Sequence, residues 1–458
     1  MPGYARKDLV REGEVATYHC WSRCVQRSFL YGDDPLTGRN FNYRRGWAED
    51  LLAYQAGVFA VDVGNYSLLS NHAHNILRTR PDIANTWSPE ELALRWKRAW
   101  PEFRDGQWVR EPTDQELEAL LGVPEKLEKI RRNLSSLSWF MARWKEPLAK
   151  LFNREMNTSG HFWEARFGCR ELLDDPAVTS CNIYVDLNQL RAGLAHSLEE
   201  SQYSAICRRI RAARQRAAAA SREEFEGEDP EGLYEFSKSA AEALYADCWL
   251  SPITVDGPLL TADSLRVASP PAGSSRIPVI LSRPRSDTPP TPVDGEGVVP
   301  AAENRGGNEE APCLCASDTP ALPAAAVKGE VPSSPAKPRR PARRRASDAA
   351  IMNIPWPEYL RVVQTVAALT ITDPPDSTAA SAAREQLEEV LTRWGVNPQA
   401  WLVQLAQLER RSTRALGAPQ RMVQRAADVA QRWLQGVNFC REIFAEPRSP
   451  AARSDEFT

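Results

Sequence analysis

The chain has 458 residues, with 57 Lys and Arg against 60 Asp and Glu and a formal net charge of −3. That length accommodates two or three domains, and the near balance of charge excludes a chain that is basic throughout, so any basic surface has to be local. The nine cysteines follow no paired framework, and no window of about 18 apolar residues occurs. We therefore expect reduced thiols in a cytoplasmic protein that has no membrane partner.

Strand-like and helix-like segments alternate over the first 210 residues. Two N-terminal capping signals begin at Ser88 and Thr113, within residues 81–150. In chain order, the patterns predict a strand at 14–23, a helix at 43–57, a second strand at 58–70, a third strand at 72–79 and a helical insert at 81–150.

Two further elements complete this region. Residues 161–172 predict a fourth strand, and residues 175–193 predict a last helix with Asp175 as the N-cap residue and Gly193 just past its end. The resulting order β-α-β-β-α-β-α is that of a ferredoxin-like fold with one extra helix. We therefore predict an α+β domain over residues 1–215, built on a ferredoxin-like antiparallel sheet, and a helical extension over 216–250.

The composition changes near residue 250. Residues 251–350 hold 17 of the 35 prolines, and a segment so poor in large apolar residues predicts a long disordered linker. Its basic end at 337–345 (KPRRPARRR) is equally open to two interpretations, a solvated linker end and an arm that binds phosphates. Residues 351–445 have apolar residues at three- and four-residue spacing, which predicts a small C-terminal all-α module.

The stretch SLLSNHAHNIL (67–77) contains two of the five histidines, His72 and His74. Alternate residues of a strand project from the same face, so the two imidazoles can bind one divalent cation. For an isolated pair of this kind, two structural histidines with ordinary hydrogen bonds are the alternative.

A second pair lies in the predicted last helix. Tyr184 and Asn188 are four residues apart, so they lie on one helix face. Tyr184 alone is typical of a core aromatic residue. An asparagine inside a helix is a poor helix former, and it is usually there for a hydrogen bond or a ligand role.

Three blocks together resemble a known family: SNHAHNIL (70–77), GHFWEARF (160–167) and YVDLNQLRAGLA (184–195). They are similar to the REP-associated tyrosine transposases, which belong to the single-tyrosine class of HUH endonucleases (His, bulky hydrophobic, His). The resemblance covers about residues 5–210, under half the chain. It implies that His72 and His74 are metal ligands. It also implies that Tyr184 is the nucleophile and that Asn188 is the third ligand.

The resemblance implies metal-dependent nicking and strand transfer on single-stranded DNA. With Mg²⁺ or Mn²⁺ as cofactor, Tyr184 would attack a phosphodiester and give a 5′-phosphotyrosine and a free 3′-hydroxyl, and a second 3′-hydroxyl could reverse that step. The implied DNA partner is a small hairpin from a repeated extragenic palindrome, and a homodimer is one assembly open to the protein. Candidate DNA-binding cations, each with a solvated surface role as an equal alternative, are Arg23 and Arg27 near the first strand and Arg166 and Arg170 near the fourth.

Two departures from the family pattern keep another function open. Ala73 stands where a bulky hydrophobic residue is usual, and Gln189 stands where the family commonly has a proline. A domesticated protein that binds hairpin DNA without cutting it is therefore the alternative. A replication or conjugation initiator is disfavoured because the chain has no G-x4-G-K-[ST] motif.

Overall fold

The structure is a computed structural model that describes residues 9–25, 28–29, 31–35, 38–226, 246–254, 345–371, 378–405, 408 and 413–444. The predicted cation Arg27 and most of the predicted linker, residues 255–344, lie outside the described residues. The described part is α+β, as predicted. Among its helices, none is both long enough and apolar enough to cross a bilayer.

The main sheet has five strands in the order β2-β3-β1-β6-β7. β1 pairs antiparallel with β3 and β6, β2 pairs antiparallel with β3, and β7 pairs parallel with β6. A separate hairpin is formed by β4 and β5. The strands are β1 (Ala16–Arg23), β2 (Val61–Leu68), β3 (His72–Thr79), β4 (Glu102–Arg104), β5 (Gln107–Val109), β6 (Gly168–Leu172) and β7 (Ala415–Leu416).

Helices fill the remaining connections. In the first half of the chain they are α1 (Asn42–Val58), α2 (Pro81–Ala84), α3 (Pro89–Arg98), α4 (Asp114–Leu121), α5 (Pro124–Leu134), α6 (Leu137–Glu155), α7 (Asp175–Asp186), α8 (Asn188–Arg191) and α9 (Ala205–Glu226). In the C-terminal region they are α10 (Trp356–Ile371), α11 (Thr378–Arg393), α12 (Pro398–Leu405), α13 (Pro419–Asp428) and α14 (Val437–Ile443).

The two faces of the sheet belong to two different cores. Tyr18 and Cys20 of β1 lie in a first core with α1 and the buried side chains of the insert helices. Ile76 of β3 and Leu172 of β6 lie in a second core with α7 and the C-terminal helices. Since side chains alternate along a strand, His19 points to the second side.

The C-terminal region is packed into this second core. Trp401 of α12 and Tyr359 of α10 are buried there together with Tyr184 of α7. The region also supplies β7, which the periodicity of an all-α module did not predict, and this strand makes the sheet mixed where an antiparallel sheet was predicted. Two residues are too few to give a strand pattern in the sequence, so β7 could only be found from its pairing.

Three local predictions need correction. The predicted strand at 161–172 is limited to β6, because residues 161–167 form a loop, which meets the end of β1 where the Glu164 amide donates to the Arg23 carbonyl at 2.9 Å. The predicted helix at 175–193 is divided at Leu187 into α7 and α8. Its N-cap is Asp174, whose carboxylate accepts a hydrogen bond from the Ala177 amide at 3.0 Å, and not Asp175.

The predicted insert is helical apart from the β4–β5 hairpin. Both capping signals are correct, since the Ser88 and Thr113 side chains accept amide hydrogen bonds at the start of α3 and α4. The two described ends of the predicted linker are held by hydrogen bonds: the Ser251 amide donates to the Val63 carbonyl, and the Ser347 hydroxyl donates to Asp62.

Candidate active site

A cluster of three histidines lies on the second-core face of the sheet, which we call the histidine face. It consists of His19 on β1 and of His72 and His74 on β3. The His72 and His74 ring centroids are 5.0 Å apart, and the His19 and His74 rings stack at 5.1 Å. The sequence therefore predicted correctly that His72 and His74 share a strand face.

Each imidazole of the predicted pair has its Nδ1 atom engaged. The Nδ1 of His72 lies 2.6 Å from the Asn71 Oδ1 acceptor, so this nitrogen carries the proton. The Nδ1 of His74 lies 2.9 Å from the Nε2 of His19. In both rings Nε2 is the nitrogen that takes no part in these two contacts.

His74 is neutral in this environment. Its side chain is 2% exposed, and burial together with the neighbouring His72 and His19 holds the pKa of its imidazole well below the usual range. A neutral imidazole is the form that binds a metal ion. Its buried Nε2 has no hydrogen-bond partner among the described residues.

Tyr184 lies against the same imidazoles. It projects from α7 with its ring centroid 5.7 Å from His74 and 5.9 Å from His19, edge-on in both cases. The guanidinium of Arg191 lies over the ring at 5.4 Å. Tyr184 is only 1% exposed, so a ligand reaches its hydroxyl only if the groups that cover it move.

Asn188 begins α8, one helical turn beyond Tyr184. The chain keeps a helical course through Leu187. The Leu187 amide donates to the Ile183 carbonyl, and the Arg191 amide donates to the Leu187 carbonyl. The Asn188 side chain is 6% exposed, and its buried Nδ2 has no hydrogen-bond partner among the described residues. Since the two ends of an amide are assigned and not observed, its oxygen can occupy that position.

These atoms fit a divalent cation. The orphaned Nε2 of His74 and the orphaned amide end of Asn188 are buried polar atoms that a cation would satisfy. Within the described ranges no group of three or more His, Cys, Asp or Glu side chains is placed to hold a metal ion. A metal ion bound by His72 and His74 would therefore take a further ligand of another kind, and Asn188 is the candidate that the family resemblance implies.

A cavity of about 230 Å³ opens beside His19 and His74. Arg23 and Arg170, two of the predicted DNA-binding cations, line it together with Trp21. The Arg170 guanidinium lies 5.1 Å from the centre of the Trp21 ring. Cations and an aromatic face beside the histidines are groups that bind a phosphate and a stacked base.

Two residues contact side chains that line this cavity, and neither was predicted. The Trp21 indole lies directly on Gly168, where any side chain would overlap it. Thr413 of the C-terminal region accepts a hydrogen bond from Arg170 at 3.2 Å. By contrast, the predicted cation Arg166 is exposed in the loop before β6 and lines a different groove, against α6.

Ala73 and Gln189, the two residues that depart from the family pattern, both lie away from the reacting groups. Ala73 is buried in the first core, on the sheet face opposite to the histidines. Gln189 donates to the Gln202 carbonyl at 2.5 Å and to the Leu68 carbonyl at 3.5 Å. Neither side chain takes a position between His74 and Tyr184.

The C-terminal region holds α7 at its middle and at its C-terminal end. The Trp401 indole donates to the Ser180 hydroxyl at 2.8 Å, and the Tyr359 hydroxyl donates to the Asp186 carboxylate. Burial raises the pKa of Asp186 to about 6. Ser180 and Asp186 flank Tyr184 in the sequence, so the C-terminal helices fix the position of that tyrosine.

His19 is the residue of the cluster that the sequence reasoning missed. It stands alone in the predicted first strand, and its place beside His74 depends on the pairing of β1 with β3. The scarcity of histidine was a usable signal, since three of the five histidines meet here.

Comparison with known protein families, with curated proteins and with solved structures found no match to this chain.

Proposed function

We propose that the protein nicks single-stranded DNA and transfers the strand through a covalent tyrosine intermediate. The single observation that carries the proposal is the contact of Tyr184 with His74, whose rings lie 5.7 Å apart, beside His72 on the same strand. Tyr184, His72 and His74 are the reacting tyrosine and the ligand pair implied by the resemblance to REP-associated tyrosine transposases.

The topology of the sheet supports the same class. The first four long strands have the order β2-β3-β1-β6, and every neighbouring pair among them is antiparallel. β3 thus lies between β1 and β2, as a ferredoxin-like β-α-β-β-α-β chain requires. β7 and the C-terminal helices are additions to that arrangement.

The residues of the site divide the chemistry between them. A divalent cation, Mg²⁺ or Mn²⁺, held by His72, His74 and Asn188 would polarise the scissile phosphate and offset the charge that develops on it. The Tyr184 hydroxyl forms the new bond to phosphorus, and the bond from phosphorus to the 3′-oxygen breaks. Net, the phenolic proton passes to the leaving 3′-oxygen, so the products are a 5′-phosphotyrosine and a free 3′-hydroxyl.

The cavity beside the histidines supports a single-stranded substrate. Arg23 and Arg170 supply positive charge, and the Trp21 face supplies a stacking surface. In a duplex the bases are already stacked on one another, so only an unpaired strand can use that surface. Two parts of this proposal, the hairpin structure of the DNA target and a homodimeric assembly, are supported by the family resemblance alone.

A second candidate function is hairpin binding without cleavage. The burial of Tyr184, with 1% of its side chain exposed, favours it. A nucleophile must reach phosphorus, and here the C-terminal helices and Arg191 pack over the tyrosine. The two functions differ in whether the covered site opens when DNA binds.

The Tyr184→Phe variant separates these functions. Phenylalanine keeps the ring that packs against His74 and removes only the reacting oxygen. With labelled hairpin DNA and Mn²⁺, we expect a covalent adduct on a denaturing gel for the parent chain and none for Tyr184→Phe, with equal DNA binding by both. Tyr203→Phe, a partly buried tyrosine outside the cluster, is the matched control and should form the adduct.

Mass spectrometry of the parent adduct should place the phosphate on the peptide SCNIYVDLNQLR (180–191). An adduct on another tyrosine would contradict the assignment of Tyr184. A parent chain that binds the hairpin but forms no adduct with Mg²⁺ or Mn²⁺ would establish the second function instead.

A further inference from the structure

We infer that His19 is a positioning residue that orients His74 for metal binding. This inference rests on the proposed function, because it assumes that His74 binds a divalent cation. It assigns a role to His19, a buried histidine that is not one of the two predicted metal ligands.

The contact between His19 and His74 is short and enclosed. The Nε2 of His19 lies 2.9 Å from the Nδ1 of His74, and both side chains are 2% exposed. The two rings also stack, with 21° between their planes. A hydrogen bond away from water is stronger than one at the surface, so this contact restrains the rotation of the His74 ring.

The direction of the hydrogen bond follows from the ligand role of His74. A ring that offers the Nε2 lone pair to a cation carries its proton on Nδ1. The Nδ1–H of His74 therefore donates to the Nε2 of His19, which accepts. His19 thus fixes both the tautomer and the orientation of His74, as residues that hydrogen-bond to a metal-binding histidine do at other metal sites.

His19 is itself held in place. Its ring packs against Trp21 at 5.4 Å and against Tyr184 at 5.9 Å. Strand pairing places it on the same face as His74, because Trp21, two residues along β1, is the direct partner of His74. A rigid acceptor is what an orienting residue requires.

Metal affinity without DNA is the direct test. Mn²⁺ binding to the full chain is measured by the loss of the free-ion electron paramagnetic resonance signal. His19→Leu removes the acceptor and should weaken Mn²⁺ binding by about 10–100-fold. His19→Gln places an amide oxygen near the former Nε2 and should restore most of the affinity. His196→Leu is the matched control, because His196 is exposed, and its affinity should equal that of the parent.

A purely structural histidine would not give this pattern. Far-UV circular dichroism melts check that each variant is folded, and His19→Asn, whose shorter amide does not reach His74, replaces His19→Leu if the latter does not fold. Equal Mn²⁺ affinity in the parent and in folded His19→Leu or His19→Asn overturns the inference. So does failure of folded His19→Gln to bind better than these variants.

Pulsed electron paramagnetic resonance counts the imidazoles bound to Mn²⁺. We expect two in the parent and two in His19→Gln, whereas loss of one in His19→Gln would make His19 a ligand and overturn the positioning role. A parent that binds no Mn²⁺ overturns this inference and the metal-dependent function together. Mn²⁺ binding with the expected His19 effects but no adduct on Tyr184 leaves the inference standing and removes only the cleavage function.

Discussion

Replacing Trp401 should destabilise the whole described fold and not the C-terminal helices alone. Trp401 is 1% exposed, lies in the same core as Tyr184, and donates its indole N–H to Ser180 of α7 at 2.8 Å. If the C-terminal region were a separate module, loss of this side chain would unfold that module by itself. The shared core predicts one cooperative transition.

The size of the effect follows from the burial. A fully buried tryptophan removes about 150–250 Å² from water, which at about 25 cal/mol per Å² corresponds to about 4–6 kcal/mol as an upper bound. We therefore expect Trp401→Ala to cost about 3–5 kcal/mol of unfolding free energy. Trp401→Phe keeps much of the apolar contact and loses the donor to Ser180, so it should cost less, about 1–3 kcal/mol.

Urea unfolding of the full chain, followed by far-UV circular dichroism, measures these differences without depending on tryptophan fluorescence. Trp433→Ala is the matched control, because Trp433 is 63% exposed and its loss should change the unfolding free energy by less than about 0.5 kcal/mol. Two resolved transitions in the parent, or equal effects of Trp401→Ala and Trp433→Ala, would refute the shared core.

Two other substitutions test the surroundings of the site. Gly168→Ala should displace the Trp21 indole that lies on this glycine and weaken binding of labelled single-stranded DNA in a fluorescence anisotropy titration, whereas Gly122→Ala, which has room for a side chain, should bind like the parent. Arg425→Leu leaves the buried Glu171 carboxylate with one cation fewer and should cost about 2–4 kcal/mol in urea unfolding. Adding Glu171→Gln to Arg425→Leu should recover part of that loss, and no recovery would mean that the ion pair is not the cause.

Local signals in the sequence were sufficient to predict most of the helices and strands of the first 210 residues. β3 has the predicted bounds, because eight residues of strand-forming pattern stand between clear boundaries. Ser88 and Thr113 begin helices, because their side chains accept amide hydrogen bonds that would otherwise be unsatisfied. The pairing of His72 with His74 needed only the alternation of a strand.

Contacts between distant segments could not be predicted in this way. His19 meets His74 only because β1 pairs with β3 in one register. The apolar faces of α10 and α12 indicated that another element packs against them. Periodicity does not identify that element, which is α7. These long-range contacts determine how deeply Tyr184 is buried. The sequence alone therefore indicated the site but not the burial of its tyrosine.

The parallel pairing of β6 with β7 has a consequence for the order in which the protein can fold. Glu171 and its partner Arg425 are 254 residues apart, a stretch that takes on the order of 10–50 s to synthesise. For most of that interval the emerging chain has α7 without the C-terminal helices that pack over it, so the apolar side chains of α7 are open to chaperones and to self-association. Such high contact order predicts slow completion of the sheet. The chain thus finishes its candidate active site late in synthesis, well after every residue of the histidine cluster has been made.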